Sequence, residues 1–110
     1  MYGLKPHSIA AIQSVLNTHP EVESAILYGS RATDTYRNGS DIDMTLTGEK
    51  LNLTLLQRIE LELDDLYLPY KIDISLHRQI SNTDLLNQIA KVGKVFFSAG
   101  KEVHQTGSAE

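Results

Sequence analysis

The run Ala25-Ile26-Leu27-Tyr28-Gly29-Ser30 and, after ten intervening residues, Asp41-Ile42-Asp43-Met44-Thr45-Leu46-Thr47 decide how this chain folds. The first is a short apolar run that breaks at a glycine, the pattern of a buried strand. The second alternates: Asp41, Asp43, Thr45 and Thr47 point one way, and Ile42, Met44 and Leu46 the other. It reads as a strand with one apolar face, closed by Gly48. Residues i and i+2 of a strand stand about 6.6 Å apart on one face, so Asp41 and Asp43 can hold one hard cation between them. Asn38-Gly39 marks a tight turn just before them.

A second alternation runs from Tyr70 to Leu76. Tyr70, Ile72, Ile74 and Leu76 share one face, and Lys71, Asp73 and Ser75 share the other. If this strand pairs beside the first at ~4.8 Å, Asp73 joins the two acids. Three carboxylates this close repel one another unless a cation compensates. Oxygen-only ligands suit magnesium or manganese rather than zinc. Gly29-Ser30 supplies a complementary part, because a backbone without Cβ lets a phosphate approach closely and the Ser30 hydroxyl can add a contact. A helical turn over 31–36 would add free amides to that cradle. A phosphate cradle beside a metal-binding acid cluster is the equipment for moving a nucleotidyl or phosphoryl group.

The remaining segments supply cover. Lys5 to Thr18 reads as a helix with Ile9, Ile12, Val15 and Leu16 on one face, Ser8 as its cap and His19-Pro20 as its stop. Asn52 to Tyr67 reads as a long amphipathic helix on Leu55, Leu56, Ile59, Leu63 and Leu66, ended by Leu68-Pro69. Ser81 or Asn82 caps a last helix carrying Leu85, Leu86, Ile89 and Val92, with Gly93 as its stop. Val95-Phe96-Phe97 is a short strand or a packing tail. This order predicts an α/β (α+β) fold: a small mixed sheet with helices packed on one face and the site on the other.

The chain has 110 residues, the size of one domain, assigned to residues 1–99 with a polar tail over 100–110 that is expected to fray. Its 41% hydrophobic and 22% charged residues exclude a wholly disordered chain. There is no cysteine, which excludes disulfides, thiolate zinc sites and cysteine nucleophiles and fits a cytoplasmic location. Met1 to Ala11 lacks the apolar core of a signal peptide, and no run approaches the ~20 apolar residues of a membrane span. With 10 basic against 14 acidic residues the net charge is −4, so strong non-specific nucleic-acid binding is not expected. His7, His19, His77 and His104 show no ligand spacing and read as surface residues. Ser30 has no histidine base in pattern, which argues against a serine hydrolase.

Gly29-Ser30, ten residues, then Asp41-Ile42-Asp43, with Asp73 inside Lys71-Ile72-Asp73-Ile74, resembles the minimal nucleotidyltransferases of the DNA polymerase β-like superfamily. The resemblance spans about residues 8 to 97 and implies the nucleotidyltransferase fold. It implies transfer of AMP from ATP to a hydroxyl, with Asp41 and Asp43 holding two magnesium ions (or manganese) and Asp73 ligating the second and orienting the nucleophile. Gly29, Ser30 and Arg31 would grip the β and γ phosphates.

Larger family members append an acceptor domain for which this sequence has no room, so the acceptor is expected on another molecule. Stand-alone members are commonly paired with a HEPN protein encoded nearby, whose tyrosine they adenylylate as its antitoxin. That partner and the toxin–antitoxin role follow from the resemblance alone. A homo-oligomer is also open, since the leucine stripe from Leu55 to Leu66 is core that can extend to a partner.

Each part has a plainer reading. Gly29-Ser30 is an ordinary turn, Asp41 and Asp43 are solvated strand residues, Asp73 simply pairs with Lys71, and Arg31 and Arg37 are surface residues rather than phosphate contacts. At the level of the whole chain, one alternative is a non-catalytic module that neutralises its partner by contact. Another is a nucleotidyltransferase with a small-molecule acceptor.

Overall fold

The structure is a computed structural model, and it describes residues 1–99. The tail assigned to residues 100–110, with His104, lies outside the described residues. The elements are helix α1 (Pro6–Asn17), strands β1 (Ser24–Tyr28) and β2 (Ile42–Thr47), helix α2 (Leu53–Asp64), strand β3 (Ile72–Leu76), helix α3 (Thr83–Val92) and strand β4 (Lys94–Ser98). The sheet is mixed, in the order β3-β2-β1-β4. β1 is antiparallel to both β2 and β4, and β2 is parallel to β3. A parallel pair needs a long return path, and α2 is that crossover.

Local chemistry sets the helix starts. Asn52 and Asn82 are the N-caps of α2 and α3, and each side chain accepts a hydrogen bond from the amide three residues on, Leu55 at 2.8 Å and Leu85 at 3.0 Å. The expected cap of α1, Ser8, is instead buried inside the helix. Pro6, whose fixed φ is preorganised for the first helical turn, starts α1 with Lys5 as its N-cap, three residues before Ser8. α2 ends at Asp64 rather than near Tyr67, which has φ +53°.

Ala25 and Leu27 of β1 and the apolar residues of β2 and β3 face α1 and α2. Ala25, Leu27, Ile42, Met44, Ile74 and Leu76 share one core with Ile12, Leu16, Ile59 and Leu63. His19 bonds the Glu62 carboxylate at 2.7 Å and ties the turn after α1 to α2, so it is a bridging residue and not a free surface one. α3 is placed by β1 instead. Gly93 sits against Ile26 Cγ2 and the Ile89 carbonyl, where a Cβ would collide with both. Since Ile26 alternates with Ala25 and Leu27, α3 reaches the far face of β1. Gly93 has φ −62°, so close packing, not a left-handed backbone, requires the glycine.

Val95-Phe96-Phe97 belongs to β4, a true strand. Its register against β1 skips Phe96: Ala25 pairs with Phe97 and Ile26 with Val95. This bulge lets two consecutive phenylalanines, each 4% exposed, both turn inward. Phe97→Ala should therefore cost about 3–5 kcal/mol of unfolding free energy, whereas Val95→Ala should change it by no more than about 0.5 kcal/mol; urea denaturation followed by circular dichroism distinguishes the two.

Candidate active site

The sheet register assembles the acids. Asp43 is the Cα partner of Asp73 in the parallel β2–β3 ladder and of Tyr28 in the antiparallel β1–β2 ladder. Neighbouring strands lie about 4.8 Å apart, so Tyr28, Asp43 and Asp73 stand side by side across three strands on one face. The next polar row below them is Thr45 with Ser75, whose hydroxyl donates to Thr45 Oγ1 at 3.0 Å. Asp41 precedes β2 and is exposed, outside the ladder. The amide of Ile42 next to it donates to the Lys71 carbonyl at 2.8 Å.

Gly29 closes the row at the end of β1. Its φ is +77°, a backbone region that disfavours side chains, and a Cβ there would lie 2.7 Å from Asp43 Oδ2. The glycine thus serves the acid as well as any phosphate: it lets the Asp43 carboxylate lie against the backbone of the turn. The expected helical turn over 31–36 is absent. Gly29–Arg31 makes a single 3-10 turn, and the amides of Ala32 and Thr33 both donate to the Gly29 carbonyl. Asp34 then takes φ +61°, which stops any helix. The cradle is therefore a tight turn and not a helix N-terminus.

Arg31 corrects the sequence reading most clearly. It was expected as a phosphate contact or a surface residue, yet it is only 2% exposed. Its Nε and Nη2 donate to the Ser40 carbonyl at 3.2 and 2.9 Å, and its Nη1 to the Tyr2 carbonyl at 3.0 Å. With its donors turned to these carbonyls, it is not placed to grip a phosphate. Arg37 is exposed, and its amide donates to Ser40 Oγ at 2.8 Å within the Arg37–Ser40 turn. Tyr28 is the residue that sequence reasoning passed over. The available signal was its place in the alternation Ser24, Ile26, Tyr28, opposite in phase to the core residues Ala25 and Leu27.

Electrostatics mark the same place. Burial, followed by the charges of Asp73 and Asp41, holds the Asp43 carboxyl above its ordinary value, and Lys71 opposes the shift. Burial, then the charge of Asp43 and more weakly that of Asp73, raise the Tyr28 hydroxyl, and the neighbouring Ser75 opposes the shift. The Lys71 ammonium lies 4.0 Å from Asp73 Oδ1, with both side chains exposed, so it screens the acids weakly.

Among the described residues no three acid or histidine side chains converge into a metal cluster as they stand. The donor set nonetheless suits a hard divalent cation. It is all oxygen, and among the described residues its negative charge is offset only by Lys71.

The polymerase beta nucleotidyltransferase family model matches residues 10–102. The chain belongs to this family. Among curated proteins none matches the sequence. Solved structures share its fold. A chain from a toxin–antitoxin complex with AMP-PNP superposes with a TM-score of 0.65 at 19% identity, covering 96% of this chain and 83% of that one. A chain from the complex of a tri-AMPylated Shewanella oneidensis HEPN toxin with its MNT antitoxin gives 0.64 at 17% identity, covering 92% and 78%. The MntA–HepT toxin–antitoxin complex gives 0.64 at 17%, covering 96% and 82%. At such identities the likeness speaks for the fold. No helix among the described residues is long and apolar enough to cross a membrane.

Two outcomes test this nucleotidyltransferase site. Gly29→Ala should destabilise the fold by about 1–3 kcal/mol through its left-handed backbone, and should displace Asp43; thermal melting reads the first effect and nucleotide binding the second. The raised Asp43 carboxyl gives the second outcome. A carboxyl raised in the folded state binds its proton more tightly there than when unfolded. Stability therefore falls as pH rises from about 4 through the raised value, and the ionised group costs stability at neutral pH. Asp43→Asn should raise the melting temperature at pH 7 in metal-free buffer, with the gain shrinking toward pH 4.

Proposed function

We propose that this domain transfers AMP from ATP to a tyrosine hydroxyl of a partner HEPN protein, acting as that toxin's antitoxin. The observation that carries the reading is the register that sets Asp43 beside Asp73, with the Gly29 backbone against Asp43. Membership of the nucleotidyltransferase family supports the reaction class. The fold shared with chains of toxin–antitoxin complexes, one with AMP-PNP and one with an AMPylated HEPN toxin, supports the donor and acceptor.

Asp41, Asp43 and Asp73 would hold magnesium or manganese. A divalent cation there supplies charge neutralisation for the triphosphate and a lower pKa for the attacking hydroxyl. The turn at Gly29-Ser30 takes the β and γ phosphates on its backbone amides and the Ser30 hydroxyl. Asp43, the more enclosed acid, fixes the polar end of the nucleotide against β2. Asp73 lies on β3, the edge strand, and is half exposed, so an incoming acceptor reaches it from the side away from β2. Its carboxylate orients the hydroxyl and accepts its proton. The acceptor oxygen bonds to the α-phosphorus, and the bond from that phosphorus to the bridging oxygen breaks, releasing pyrophosphate.

Replacing Asp73 with Asn keeps the volume but removes the charge and most of the basicity. ATP binding by calorimetry should persist, while AMP transfer, followed by intact-protein mass spectrometry of a co-expressed HEPN neighbour, should fall by ~10²-fold or more. A wild-type protein that silences its partner and leaves no AMP on it would replace this reading with neutralisation by contact.

A further inference from the structure

The acid outside the sheet needs something else to hold it. Asp43 and Asp73 are fixed by ladder register, but Asp41 ends an exposed loop that begins at Ala32. Residues 33–39 of that loop are all exposed, and two of its residues, Asp34 and Gly39, have positive φ. Two backbone contacts bracket Asp41. On one side the Ile42 amide donates to the Lys71 carbonyl. On the other the Ser40 carbonyl receives both Nε and Nη2 of Arg31.

Arg31 is built in as a strut. It is 2% exposed, and among the described residues it makes no ion pair. A buried cation without a carboxylate partner is costly and is kept only where many contacts hold it. Here three donors reach two carbonyls, and the guanidinium lies over the rings of Tyr36 and Tyr70, 5.2 and 5.0 Å from their centroids. Each contact leads to a different part of the site. Arg31 itself ends the Gly29 turn, Ser40 precedes Asp41, and Tyr70 precedes β3 and Asp73. The Tyr2 carbonyl comes from a turn with positive φ at Tyr2 and Gly3, closed by the Leu4 amide on the Met1 carbonyl. Gly3 admits the Tyr36 ring where a Cβ would collide with it.

We infer that Arg31 is a positioning residue: its bidentate hold on the Ser40 carbonyl sets Asp41 beside Asp43 for a metal–nucleotide. The inference rests on the transfer reading above for the identity of that ligand. Lysine cannot reproduce the hold, because it offers one point charge on a flexible stem and no planar fork. Its effect should run through Asp41 and not through the fold at large, so a double-mutant cycle isolates it.

The test measures magnesium–AMP-PNP binding by calorimetry for wild type, Arg31→Lys, Asp41→Asn and the double variant. Arg31→Lys should weaken binding about 10-fold, and should add no more than about 2-fold once Asp41 is already Asn. Tyr36→Leu, which removes one face of the stack at a partly exposed position, should weaken binding in the same Asp41-dependent way. It decides the matter if Arg31→Lys does not fold. Independent, additive losses in the cycle would overturn the inference and leave Arg31 as a fold residue only. Wild type that fails to bind the probe would overturn it too. Wild type that binds the probe and transfers no AMP would remove the transfer reading, while the cycle would still decide the role of Arg31.

Discussion

Carboxylates on adjacent strands at one register position repel, and the ordinary sheet has no means to compensate them. β2 places Asp43 between Asp73 on one side and Tyr28 on the other, with Asp41 close enough to add its charge. The arrangement persists because the opposite face of the same strand is fully committed. Ile42 and Met44 are completely buried and Leu46 nearly so, packed under α1 and α2. A slip of one residue would turn all three into solvent and the acids into the core. Burial on one face therefore enforces proximity on the other, and the repulsion between the acids is its cost.

The two edges of this cluster differ in kind. Toward β1 it is closed: the Gly29 turn abuts the Asp43 carboxylate and Tyr28 lines the row. Toward β3 it is open, because β3 ends the sheet and Asp73 and Lys71 are both substantially exposed. A charged, exposed edge also resists unwanted strand pairing, so Lys71 and Asp73 keep the sheet from growing. In the transfer reading proposed above, the closed side takes the nucleotide and the open side the acceptor.

Arg31 shows how a site can depend on a residue that never faces it. The loop from Ala32 to Asp41 has little core of its own, yet one of its ends carries a site acid. A buried guanidinium stacked over two tyrosine rings gives that loop an anchor from inside the protein. Arginine suits this role because it is weakly hydrated and planar, so it can lie between rings and still hold a carbonyl with two donors.

Much of this was legible in the chain alone. Alternation at 41–47 and 70–76 fixed which side chains share a face, because the strand period of two is set by the backbone and needs no partner. Gly29 after an apolar run announced a turn, and Asn52 and the pair Ser81-Asn82 announced helix starts, since both are local effects of φ and of amides left free. Other features had no local signal. That β3 lies parallel beside β2 with Asp73 opposite Asp43 depends on a crossover and a shared core. That α3 packs on the far side of β1, and that Phe96 and Phe97 both turn inward, depends on a bulge and a contact between Gly93 and Ile26. Arg31 is the sharpest case. An arginine after a glycine-serine turn reads as a phosphate contact or a surface cation, and only the folded chain brings Tyr2, Tyr36, Ser40 and Tyr70 around it. The sequence by itself determined which residues could carry the chemistry, through periodicity and turn preference; the tertiary structure alone decided which of them meet and what holds them there, because contacts between residues distant in sequence are settled by packing and by the need of buried polar groups for partners.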